Sequence, residues 1–221
     1  MVAIILDMDG VIVDSEPLHL RTIHDIFKKY GIRVTKKEYA ERYAGTGAKH
    51  IIEGIFREHK IRMRSADINA LIKRRTAHYQ RLIKGRLKTT PGFEIFFRAL
   101  KSRGIPAAIS SGGHRINVVG SLRAVGIRPK DFEAIITVDI VPQRKPHPQL
   151  FLAAARALHA KPSECTVFED TAAGVQAAKR GKMKCVALLT TMTQSKLRAA
   201  GADLIVKDFR DKKLWKWLGW K

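Results

Sequence analysis

A chain of 221 residues with a 45% apolar fraction is long enough to bury a substantial core and to carry a smaller second unit beside it. No apolar run approaches the length of a membrane span, and the N-terminal run breaks on Asp7 too soon for a signal peptide; Cys165 and Cys185, the only cysteines, lack metal or redox spacing, so reduced thiols in a cytoplasmic protein are expected. The 42 basic against 20 acidic residues give a net charge of +22, a field that concentrates anions, whether nucleic acid or small phosphate esters.

The chain opens on Val2–Leu6, a β-branched apolar run too short for a helix, which reads as a buried central strand of a parallel sheet. It ends in Asp7-Met8-Asp9-Gly10, and in an open parallel sheet ligands bind beyond the carboxyl ends of the strands. Carboxylates at alternate positions of an extended stretch diverge unless the chain bends, and Gly10 permits the bend. One acid can then serve as nucleophile or metal ligand while the other carries a proton. A calcium loop is the competing reading. It requires Gly at loop position six and Glu at twelve, where counting from Asp7 gives Ile12 and Leu18.

Ser15 to Tyr30 reads as a helix, with Ser15 as cap, Pro17 in the first turn, an apolar stripe at Leu18, Ile23, Ile26 and Phe27, and Gly31 as its stop. His19 lies one turn in, either packed or beside the site. Three more helices are predicted, Lys36–Tyr43, Ala48–His59 and Ser65–Ile83, with Ala44-Gly45-Thr46-Gly47 as a turn. Arg75 shares a helix face with Tyr79, either as a solvated charge or as a substrate contact. The densest basic run, residues 57–88, holds 11 Lys or Arg and 2 acids. It lacks zinc-finger spacing, an RNA-recognition signature and a regular aromatic ladder, so no dedicated nucleic-acid partner is expected.

Pro91-Gly92 begins a second, α/β stretch. A helix Phe93–Arg103 leads to a strand Ile105–Ile109 and then Ser110-Ser111-Gly112-Gly113 before a helix from about Arg115. Hydroxyls and backbone N–H groups at a helix N-terminus suit an anion, although Ser and Gly mark any turn. A strand Ala134–Val138 precedes Asp139 and the extended Arg144-Lys145-Pro146. Thr166–Phe168 ends in Glu169-Asp170, with Thr171 as cap of a helix Ala172–Arg180. Two further acids at a strand end make a hard-oxygen site of the kind magnesium prefers. Strands Cys185–Leu188 and Leu204–Val206 follow, then a short tail helix, Leu214–Trp220, whose tryptophans read as packing. The alternation of strand and helix predicts a doubly wound parallel sheet. The α/β core takes residues 1–14 and 89–221, and residues 15–88 form an all-helical insertion.

DMDGVIVDSEP after a buried strand resembles motif one of the haloacid dehalogenase-like superfamily, in its β-phosphoglucomutase and phosphoglycolate phosphatase-like branch. Ser110-Ser111, Lys145-Pro146 and FEDTAAGVQAAKRG resemble motifs two, three and four, in order, over nearly the whole chain. The resemblance implies a Rossmann-like core with a helical cap, and a magnesium (Mg2+)-dependent phosphatase hydrolysing small phosphate monoesters through an aspartyl-phosphate. Asp7 would be the nucleophile, Asp9 the acid and base, and Lys145 the neutralising cation. Gly10, Ser110 through its hydroxyl, Ser111 through its N–H, and Lys145 would bind phosphate. Asp7, Asp9, Glu169 and Asp170 would hold the metal. His19, Gly45, Thr46, Lys49 and Arg75 would face the substrate from the cap. The chain departs from the pattern at Arg144, where relatives carry Gly, and at Ala48, where mutase relatives place Arg and only Lys49 is available instead. The expectation is therefore a phosphatase rather than a β-phosphoglucomutase-type mutase, monomeric, with a small phosphorylated metabolite as partner and no membrane.

Overall fold

The computed structural model describes residues 3–43 and 46–220. Its sheet has six strands: β1 (Ala3–Leu6), β2 (Ala107–Ser111), β3 (Ala134–Thr137), β4 (Cys165–Glu169), β5 (Lys184–Leu188) and β6 (Leu204–Val206). They lie in the order β3-β2-β1-β4-β5-β6, and every pairing is parallel. β1 reads Ala-Ile-Ile-Leu without a polar residue because both of its faces are covered. Ile4 and Leu6 enter one apolar cluster, with Ile109 and Phe168, while Ala3 and Ile5 enter the other, with Ala108 and Val167. The period of two along each strand thus divides the core into two layers.

Ten α-helices are described. The helical insertion holds α1 (Glu16–Phe27), α2 (Lys36–Glu38), α3 (Ala48–Glu58) and α4 (Ser65–Leu82). The sheet is flanked by α5 (Phe93–Ser102), α6 (Arg115–Ala124), α7 (Gln149–Ala157), α8 (Ala172–Arg180), α9 (Gln194–Ala199) and α10 (Lys212–Leu218). Of these, α1, α3 and α4 pack around an apolar cluster of their own, in which Phe27 and Phe56 meet with ring centroids 4.9 Å apart beside Ile52, Ile55 and Leu71. The tail tryptophans pack as expected: Trp220 stacks on Phe96, and Trp215 Nε1–H donates to the Phe209 carbonyl at 2.8 Å.

Three local expectations shift. The first helix ends at Phe27 and tightens into a 3₁₀ turn over Lys28–Tyr30. The segment after Thr35 leaves the α geometry at Tyr39 for a π-helical turn to Tyr43. β2 begins at Ala107 rather than Ile105, because Pro106 has no N–H to give the ladder, and its pairing with β3 carries it on through Ser110 and Ser111.

Candidate active site

The sheet register assembles the site. Leu6 is opposite Ile109 on one side and Phe168 on the other, so Asp7, one residue beyond β1, stands level with Ser110 and Glu169. The Asp7 N–H extends the pairing by donating to the Phe168 carbonyl at 3.0 Å. The chain then turns sharply. Gly10 takes φ +76°, and its N–H donates to the Val13 carbonyl at 2.8 Å. That N–H is thereby used within the turn, so Gly10 is a bending residue and not the phosphate donor expected of it. It must be glycine on two counts: its backbone is left-handed, and a Cβ would stand 1.9 Å from Asp170 Oδ2.

Lys145 joins the ends of β1 and β4. Its Nζ donates to Asp7 Oδ1, to Glu169 Oε1 at 2.5 Å and to the Ser110 carbonyl at 3.4 Å. Glu169 is fixed from behind, since its Oε2 accepts from the N–H groups of Asp170 and Thr171 and from the Thr171 hydroxyl, each at 2.9 Å. Thr171 in turn accepts from the Gly174 N–H at 3.1 Å and caps α8. Burial works against the Lys145 charge, but the Asp7 and Glu169 carboxylates outweigh it and keep the ammonium protonated. Burial, with Glu169 and Asp9 adding to it and Lys145 opposing, pushes Asp7 up to about 7. Asp170 is also raised, by burial and by the Glu169 and Asp7 charges, and it accepts from the hydroxyls of Thr190 and Thr191.

Asp9 belongs to a second network. Its Oδ1 accepts from Ser15 Oγ at 2.5 Å and faces His19 Nε2 at 3.0 Å. Ser15 holds the N-cap position expected of it, and its carbonyl accepts from the His19 N–H at 2.9 Å, but its hydroxyl is turned to Asp9 and makes no capping bond. On the far side of the imidazole, Arg75 Nη2 lies 3.1 Å from His19 Nδ1. Arginine only donates, so Nδ1 accepts and the ring proton sits on Nε2, where it is given to Asp9. His19 also stacks on Tyr79, centroids 4.3 Å apart, and Tyr79 OH meets Ser121 Oγ at 2.9 Å. Burial alone would raise the Asp9 carboxyl. The hydrogen bonds from His19 and Ser15 and the Arg75 charge behind them outweigh it, and the group is held below its usual value. Arg75 is 4% exposed, whereas its neighbours Lys73 and Arg74 are exposed, which excludes the solvated-face reading for Arg75.

Both networks open on one cavity between the strand ends and the helical insertion. Asp7, Asp9, Lys145, Glu169, Asp170 and Ser111 line it from the sheet, and His19 and Arg75 from the helices. Ser110 does not line it. The pleat sends the two serines to opposite sides, and the Ser110 hydroxyl is buried with no partner, while Ser111 Oγ accepts from the Gly113 N–H at 3.0 Å. Lys49 is corrected too. At the start of α3 it is Ala48 and Ile51 that face the cavity, and Lys49 is exposed and 3.8 Å from Glu53. Thr46 turns its hydroxyl to the Tyr43 carbonyl at 2.8 Å, and Gly45 lies outside the described residues.

Two cavity residues escape sequence reasoning. Glu16, in the first turn of α1, faces the site; burial and the Asp9 charge, against Arg75, push it up to about 8. His114 points its Nδ1 at Asp139 Oδ1, 2.6 Å away, and Asp139 Oδ2 also accepts from the Arg115 N–H at 2.6 Å and from Thr137 Oγ1 at 3.0 Å. No spacing in the chain links residues 114 and 139; only the β2–β3 pairing brings them together.

The model of the haloacid dehalogenase-like hydrolases matches residues 1–182. The chain is a haloacid dehalogenase-like hydrolase. It is similar to the phosphorylated carbohydrates phosphatase of Thermotoga maritima, with 29% identity over 213 residues that cover 94% of each chain. It also matches the chloroplastic protein SUPPRESSOR OF QUENCHING 1 of Arabidopsis thaliana at 34% identity over 208 residues; these make up 93% of this hydrolase but 19% of that much longer protein. Among solved structures, CbbY of Rhodobacter sphaeroides in complex with phosphate superposes with a TM-score of 0.85 at 26% identity, over 96% of both chains.

Proposed function

We propose that this hydrolase is a magnesium-dependent phosphatase of small phosphate monoesters, sugar phosphates foremost, acting through an aspartyl-phosphate on Asp7. The observation that carries the reading is the division of the cavity's carboxylates into two environments. Asp7 lies against the Lys145 ammonium, while Asp9 is tied to Ser15, His19 and Arg75. Two acids held apart in this way suit a nucleophile and a proton carrier. The similarity to a carbohydrate phosphatase and to a phosphate-bound structure supports the substrate class.

The donor set fits magnesium. Asp7 and Asp170 are carboxylates raised first by burial and then by the Glu169 charge beside both, and a divalent cation relieves both effects. Among the described residues no three acids converge as a ready-made cage, and magnesium commonly takes one or two carboxylates and keeps several waters. Asp7 and Asp170 would hold the ion; Asp9 is engaged by Ser15 and His19, and Glu169 has its oxygens engaged by Lys145 and Thr171 and acts chiefly on Lys145. When bound, the ion supplies positive charge to the phosphoryl oxygens.

An Asp7 carboxylate oxygen attacks phosphorus in line. The bond from phosphorus to the ester oxygen breaks, and the leaving oxygen takes a proton from Asp9. Asp9 is ionised before substrate arrives, and the negative charge of the ester beside it favours its protonation. Asp9 then removes a proton from water, which attacks the acyl phosphate, releases inorganic phosphate and restores Asp7. Lys145 neutralises charge on the equatorial oxygens throughout. Water is the acceptor in this reading, because the start of α3, where the mutase pattern places Arg, presents Ala48 and Ile51 to the cavity. A magnesium-dependent screen of phosphate esters tests the proposal, with phosphate release and glucose 6-phosphate formation from β-glucose 1-phosphate read side by side. Turnover should vanish with excess chelator and in Asp7→Asn. Full activity in either, or isomerisation outrunning hydrolysis by orders of magnitude, refutes it.

A further inference from the structure

Arg144 stands at the rim of the cavity, on the loop that carries Lys145, and the mechanism above gives it no task. Its Nη1 donates to the Thr46 carbonyl, in the turn before α3, across a long 3.4 Å. The guanidinium fills the space beside Gly47, a residue that lines the cavity: a Cβ there would lie 2.0 Å from Nη1 and 3.1 Å from Cζ. The Gly112 carbonyl, on the cavity-lining loop after β2, is 3.6 Å from the same point. The side chain is exposed, and no carboxylate pairs with it among the described residues. The other cations near the site are committed: Lys145 to Asp7 and Glu169, Arg75 to His19, Lys49 to Glu53. A guanidinium has five N–H donors in a planar fork that matches carboxylate and phosphate, and one long bond to a carbonyl leaves most of them unused.

We propose that Arg144 reads a second anionic group on the substrate, so that the preferred esters carry a carboxylate or another phosphate besides the phosphoryl group that reacts. Gly47 is the slot that lets the guanidinium reach the rim. The inference rests on the phosphatase reading for the identity of the reacting group, but its own content is a binding preference and is measurable without turnover.

The test is calorimetric binding, in magnesium buffer and in an Asp7→Asn background of the full chain, of glycerol phosphate, 2-phosphoglycolate and fructose 1,6-bisphosphate. Arg144 intact, one or both doubly anionic probes should bind at least about tenfold more tightly than glycerol phosphate, and the tighter one identifies the second group as carboxylate or phosphate. Arg144→Gln should remove that preference, a loss of roughly ten- to a hundredfold for the doubly anionic probe against less than about threefold for glycerol phosphate. Arg144→Lys should keep part of it. An equal loss on all three probes, as a mere tie between core loop and helical turn would give, overturns the proposal, and so does unchanged binding. Hydrolysis of the same esters by the chain with Asp7 restored separates the two claims. The binding preference without hydrolysis would leave Arg144 its role and remove the phosphatase reading; hydrolysis without the preference would do the reverse.

Discussion

Arg75 and Glu16 show how strongly burial decides what a side chain can do. Arg75 touches Asp9 only through His19, yet it sets the tautomer that lets His19 donate. Arg75→Ala should lower kcat/KM by about ten- to a hundredfold, the worth of one charge-assisted hydrogen bond, and should do so at every salt concentration. A loss that disappears in high salt would return Arg75 to the role of a general surface charge. Glu16 carries a proton up to about pH 8 because of burial and the nearby Asp9 charge. The sign follows from linkage: between its ordinary value of 4.5 and about 8 the folded chain holds a proton that the unfolded chain has released, so this group makes stability fall as pH rises through that window. Glu16→Gln keeps the shape and removes the titration, and its Tm should therefore decline less between pH 5 and 8 than that of the unaltered chain. Parallel Tm profiles would show that Glu16 is ionised at neutral pH.

The strand-to-helix turn from β4 into α8 transmits position from one catalytic group to the next. Thr171 caps the helix, Gly174 donates to Thr171, Glu169 is held by the N–H groups of Asp170 and Thr171, and Lys145 is held by Glu169. Gly174 is the weak point of this chain of contacts, because a Cβ there would stand 1.8 Å from Glu169 Cδ. The helix propensity of alanine exceeds that of glycine, so an isolated helix would gain from Gly174→Ala. Here overpacking wins: about 1–3 kcal/mol of stability should be lost, and kcat/KM should fall at least about tenfold as Lys145 loses its partner. Thermal denaturation and phosphate release on the one variant measure both, and a more stable, fully active Gly174→Ala would show that Glu169 does not position Lys145.

At the scale of the whole chain, a net charge of +22 acts on any anionic substrate before it is bound. Screening limits that influence to about 8 Å at physiological ionic strength. Lys73 and Arg74, exposed on α4, belong to this field and to no described part of the site. Their joint replacement by Gln should lower kcat/KM modestly at low salt and leave it unchanged at high salt. A salt-independent loss in that variant would mean that α4 meets the substrate on a second face. Among the described residues no helix is long and apolar enough to cross a membrane.

What was legible in the chain was local. Apolar runs closed by Asp7, Ser110 and Glu169 marked strand ends, because a buried parallel strand must be apolar on both faces and the first polar residue after it reaches the ligand side of the sheet. Gly10 announced a bend, although not that Asp170 would occupy the space where a Cβ would stand, and Gly174 carried no such signal. The choice between Ser110 and Ser111 needed the pleat beyond Ile109, where β2 continues through both serines and sends their side chains to opposite faces. Partnerships across long separations were decided by packing alone. Asp139 with His114, Arg75 with His19, and Arg144 with the turn at Thr46 and Gly47 each join segments with no sequence signal of their meeting. A side chain's charge is written in its residue type, but whether water, a carboxylate or an imidazole stands opposite depends on which elements the hydrophobic core brings together.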